Sequence, residues 1–75
     1  MDAALTDLAV ALRERLDIIA DEQSRRDPER HTERLRNVSQ KIESLEQSLP
    51  AGADPQLRHF LQRRSYTKAL ELLEA

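Results

Sequence analysis

The side chains that could do chemistry are few in kind. The chain has two histidines, His31 and His59, no cysteine, fourteen carboxylates and twelve basic residues. His59 has Arg63 four residues on, the arrangement in which a helical histidine takes a phosphoryl group and a neighbouring cation steadies it. Two residues are too short a motif to specify that chemistry. Arg58-His59 and Arg63-Arg64 read more simply as a polar face opposite Leu57 and Leu61. Imidazole is the side chain that titrates near neutrality, so His31, at the head of an apolar stripe, is a candidate pH-sensitive contact. The plainer reading is a half-exposed histidine beside a turn. A metal site needs two or three ligands facing one another, and neither histidine has a ligand-type partner at such a spacing. The chain also lacks a Ser/His/Asp pattern, a Gly-rich phosphate loop and a Gly-x-Ser-x-Gly turn. The expectation is therefore no enzyme, no metal and no cofactor.

Positive charge gathers at Arg25, Arg26, Arg30, Arg34 and Arg36. Such a cluster can meet phosphate. Here Asp27, Glu29 and Glu33 are interleaved with it, and Glu33 lies three residues from both Arg30 and Arg36, which is helical reach. A salt-bridged, solvated face is the better reading. Residues 57–74 also admit a helix-turn-helix, whose second helix must offer donors to bases and phosphates. That helix offers Lys68 against Glu71 and Glu74, and the net charge is −2, so the sequence argues against nucleic acid as a partner.

The stretch Val38-Ser39-Gln40-Lys41-Ile42-Glu43 resembles the Ser-Gln-Glu-Leu-Asp motif of the small two-helix phosphatases of sporulation regulators. The likeness covers half of the chain and implies a helical hairpin there. Lys41, Ile42 and Glu43 replace the motif's last three residues. The essential Asp is thus a Glu, and the family's activity is not carried over.

The elements that must position these residues are helices. Charged residues make up 35% of the chain and aromatics 3%. Abundant Leu, Ala, Glu, Arg and Gln favour helix, and the scarcity of aromatics and β-branched residues disfavours a sheet. His31, Leu35, Val38, Ile42, Leu45 and Leu49 recur at alternating spacings of four and three, a heptad seam that wants another helix against it. A first helix is expected over about residues 3–24, with Asp2 or Thr6 as its cap. Leu5, Leu8, Leu12, Leu16 and Ile19 form its main stripe, and Ala4, Ala11 and Ile18 a second one beside it. Asp27-Pro28 then starts a second helix over about 28–48: Asp is a good N-cap, and Pro at the first helical position loses no hydrogen bond. The two helices are of matching length, about 33 and 32 Å at 1.5 Å per residue. With so short a connection they read as an antiparallel hairpin; the rival is one long helix kinked at Pro28.

Asp54-Pro55 repeats the capping device and opens a C-terminal segment over about 55–74. Leu57, Phe60 and Leu61 face one way, and Tyr66, Ala69, Leu70 and Leu73 face nearly the opposite way. A bend near 63–65 resolves the conflict, with Ser65 capping a fourth helix. The expected fold is all-α: one domain, 1–75, built as an antiparallel helical hairpin plus a C-terminal helical segment, a three- to four-helix up-down bundle.

A 75-residue chain buries little core, and small scaffolds often need a staple. With no disulfide available, self-association is the natural one. The expected function is a small non-enzymatic interaction module that forms a homo-oligomer, a dimer first of all. Its uncovered apolar residues are expected to be Val10, Ile18, Leu70 and Leu73. The alternative is a small regulator that binds and controls another protein, as antitoxins and anti-activators do; a weaker alternative, resting on the arginine-rich tip, is a nucleic-acid-binding helical bundle. The longest apolar run, Leu8 to Leu12, is far too short to span a membrane. No basic region followed by an apolar stretch opens the chain, so a cytoplasmic location is the expectation.

Overall fold

The computed structural model describes residues 3–75. The chain is an all-α helical bundle: α1 (Ala3–Ala20), α2 (Glu22–Arg25), α3 (Pro28–Gln47), α4 (Pro55–Gln62) and α5 (Tyr66–Glu74).

Both Asp-Pro dipeptides cap as expected. Asp27 is extended (φ −115°, ψ 91°) and its carboxylate accepts from the Arg30 N–H at 3.2 Å. Asp54 accepts from the Gln56 N–H at 2.8 Å. Each proline sits where the helix has no donor to lose. After Asp27 the chain reverses, and α3 packs along α1. The hairpin is therefore formed, and the kinked single rod is not.

Three local expectations need correction. The first helix ends at Ala20 rather than near residue 24, because Asp21 breaks it and starts α2. Thr6 lies inside α1 and does not cap it; Asp2 lies outside the described residues. The C-terminal segment does bend at residues 63–65, but the Ser65 side chain makes no capping hydrogen bond. The bend is a Schellman turn instead. The Ser65 N–H donates to the Phe60 carbonyl at 2.8 Å and the Arg64 N–H to Leu61 at 3.1 Å, the paired bonds of that motif. Arg64 occupies its left-handed position, with φ 58°.

That turn swings α5 back across α1. Arg15 lies over the Tyr66 ring, 4.9 Å from its centroid, and Arg13 bridges to Glu74. From the other side Arg64 reaches Glu43 on α3 at 3.5 Å. Arg58 ties α4 to the linker before it, donating to the Pro50 carbonyl at 2.7 Å and to Leu49 at 3.3 Å. The core comprises Leu8, Ala11, Leu12, Ile18, Val38, Ile42 and Leu49 of the hairpin side with Leu57, Leu61, Tyr66, Ala69 and Leu70 of the C-terminal helices. Ala11 is fully buried. A small side chain at that level of α1 allows close approach of its neighbours.

Candidate functional site

The four residues expected to be uncovered fare differently. Ile18 is 3% exposed and Leu70 7%, so neither is available to a partner. Ile18 lies on the side of α1 that faces α3, where it lines a groove with Val38. Leu70 is covered because α5 crosses α1 and turns that side chain inward. Leu73 is half-buried against the core. Val10 alone of the four is open, at 56%. Its helical neighbours Asp7, Arg13, Glu14 and Asp17 are exposed charged residues, and a single exposed valine among them is ordinary.

Half-buried apolar residues occur along the bundle, Leu5, Leu45, Phe60 and Leu72 among them, and one group of them lies at the turn end of the hairpin. α5 packs on α1 and α4, while α2 packs on α3 and α1. The C-terminal segment meets α1 at Arg13 and Arg15 and α3 at Glu43, residues away from the hairpin turn. Two cross-links fix the register at the turn end: Ser24 Oγ with His31 Nδ1 at 3.0 Å, and Arg34 Nη1 with Asp21 Oδ2 at 3.4 Å. In that register Ile19 lies level with Leu35. Leu16, Ile19, His31 and Leu35 are all half-buried. Leu16 and Leu35 lean on the core from outside; Ile19 stands beyond it. These residues form a low apolar step with a histidine at its edge.

Beside the step is an open cleft of about 520 Å³ lined by Asp21, Gln23, Ser24, Asp27, Arg30 and Arg34. Asp21 is its most constrained group. Its Oδ1 accepts from the Gln23 and Ser24 N–H groups at 3.1 and 3.3 Å. The Ser24 amide first, and then Arg34, hold the Asp21 carboxyl below its ordinary 3.8. Ser24, a buried polar residue at 9% exposure, spends its hydroxyl on His31. The hydroxyl can donate or accept, so the contact suits either tautomer of the ring.

Two of the five arginines of the cluster at this end, Arg25 and Arg34, are engaged within the chain, while the expected pairs of Glu33 with Arg30 and Arg36 are not among the ion pairs of the described residues. Arg34 bonds Asp21, and Arg25 donates to the Ile19 carbonyl. His59 is exposed on α4 with its ring 6.2 Å from Phe60, and Arg58, its neighbour, serves as the strap to the linker. His31 and His59 sit on different helices, α3 and α4, and among the described residues there is no cluster of three or more His, Asp or Glu that could hold a metal. No described helix is long and apolar enough to cross a membrane. Sequence reasoning missed Asp21, Ser24 and Arg58 as organising residues. The signal available was thin: an aspartate two residues before a glutamine inside an otherwise continuous amphipathic pattern.

Compared with family models, curated proteins and solved structures, the chain matches none.

Proposed function

We propose that this chain is a non-enzymatic helical module that pairs with a second copy of itself through the turn end of its hairpin. The observation that carries the reading is surface left over. The chain exposes 5350 Å², whereas a compact monomer of its 8.7 kDa exposes about 4,700 Å². The excess of roughly 600 Å² is what each partner gives up in an interface at the lower end of the standard range. The shape agrees: the molecule measures 41 × 22 × 22 Å, with a radius of gyration of 12.8 Å against about 11 Å for a compact chain of this length.

The half-buried Leu16, Ile19 and Leu35 are the apolar centre of the proposed contact, and the charged cleft is its rim. Such a centre within a polar rim is the usual anatomy of an interface. The reading moves the docking surface away from Ile18 and Leu70, which the chain covers itself. Its test is the solution mass across a concentration series, for the wild type and for Ile19→Lys. Ile19 stands outside the core, so the variant is expected to fold and to stay monomeric. A wild type that is monomeric throughout while retrieving a different protein would favour the regulator reading instead.

A further inference from the structure

We infer that Asp21 is a conformational stop whose capping side-chain oxygen holds α1 and α2 apart as two helices, and that without that oxygen they join into one. This inference stands independently of the pairing proposed above.

The argument follows the backbone hydrogen bonds. In a continuous helix the Gln23 N–H would bond the Ile19 carbonyl, and the Ser24 N–H that of Ala20. In the broken form both donors turn to Asp21 Oδ1. The vacated Ile19 carbonyl accepts from the Arg25 guanidinium instead. The Asp21 N–H takes a tighter bond to the Ile18 carbonyl at 3.2 Å. Side chains of Asp21 and Arg25 thus replace the backbone partners that the break removes. The Ala20 carbonyl, which a continuous helix would pair with the Ser24 N–H, is on an exposed residue, where water can serve it.

Two contacts with α3 tip the balance toward the broken form. Asp21 bonds Arg34, and Ser24 bonds His31. Asp21 itself is held at φ −81°, ψ 102°, an extended residue between two helices. The flanking residues, Ile19, Ala20, Glu22 and Gln23, include no glycine or proline, so the capping oxygen of Asp21 is the feature that imposes the break. Removing it leaves an ordinary helical sequence from Ala3 to Arg25.

The experiment compares Asp21→Ala, Asp21→Asn and Arg25→Ala/Arg34→Ala by backbone NMR, reading carbon secondary shifts and amide exchange at residues 19–24. Asp21→Ala is expected to show helical shifts without interruption through residue 21, slower exchange at Gln23, and altered His31 ring signals as Ser24 moves away. Asp21→Asn keeps a capping oxygen and is expected to keep the break. The double variant keeps the cap but loses the clamps, and is expected to show shifts between the two. Should residue 21 remain non-helical in Asp21→Ala, the inference fails. Should Asp21→Asn join the two helices, it fails as well, because a capping oxygen at position 21 would then not hold the break.

Discussion

Ser24 Oγ and His31 Nδ1 lie 3.0 Å apart, joining the four-residue helix before the hairpin turn to the first turns of α3. Ser24 is buried and His31 half-buried, so the pair closes the turn end where the apolar core runs out. Ser24→Ala leaves a half-buried ring nitrogen without its partner and is expected to cost about 1 kcal/mol. Urea unfolding measures it. The same loss in a His31→Ala background should largely vanish, because the partner is already gone.

The core assigns unequal weights to neighbouring residues of α1. Leu12 is 1% exposed and Val10 56%. Leu12→Ala is expected to cost about 2–5 kcal/mol, a large part of the roughly 4–11 kcal/mol available to a chain this size. Val10→Ala should stay within about 0.5 kcal/mol. Ile18→Ser should destabilise the chain as Leu12→Ala does, rather than merely alter its association. Thermal and urea transitions of the three variants check the order.

Arg64 is a non-glycine residue at φ 58°. The left-handed conformation costs an L-residue roughly 1–2 kcal/mol, while glycine adds about 0.5–1 kcal/mol of unfolded-state entropy. The ion pair to Glu43 is exposed on both sides and contributes little. Arg64→Gly is therefore expected to stabilise the bundle by about 0.5 kcal/mol, a melting-point rise of a few degrees. Arg64→Val, β-branched at the same position, should do the reverse.

Acidification probes Asp21. Its carboxyl titrates below the ordinary 3.8, held there by the Ser24 amide and then Arg34; Asp27 and Arg30 line the same cleft, and Arg25 sits on α2 beside it. A carboxyl whose folded value is depressed adds stability above its unfolded value and loses it as pH falls through the folded one. Wild type should thus be more stable than Asp21→Asn by a constant margin from pH 7 down to about 5. The margin should shrink below about pH 4. Paired urea titrations at each pH give the comparison.

Much of the architecture was legible in residues that act locally. Asp27-Pro28 and Asp54-Pro55 fix two helix starts with their own side chains. The seam from His31 to Leu49 names the face of α3 that α1 must meet. The bend at 63–65 followed from apolar residues on opposed faces. What was hidden depends on distant partners. Asp21 breaks α1 with help from Arg34, thirteen residues away, and aspartate inside a helix is a weak signal by itself. The burial of Leu70 depends on the angle at which α5 crosses α1, which no spacing encodes. Ile18 was assigned to a partner because its stripe looked surplus to a two-helix contact, yet α3 covers it. The half-buried Leu16, Ile19 and Leu35 became a candidate surface only once the reach of the C-terminal helices was known.

Ile19 links the fold to the proposed pairing, because it is half-buried and stands outside the core. Sedimentation equilibrium from low to high micromolar concentration tests that pairing most directly. The account predicts a mass rising from 8.7 kDa to twice that value, with Ile19→Lys remaining at the lower one. A wild type that stays at the single-chain mass at every concentration would contradict it.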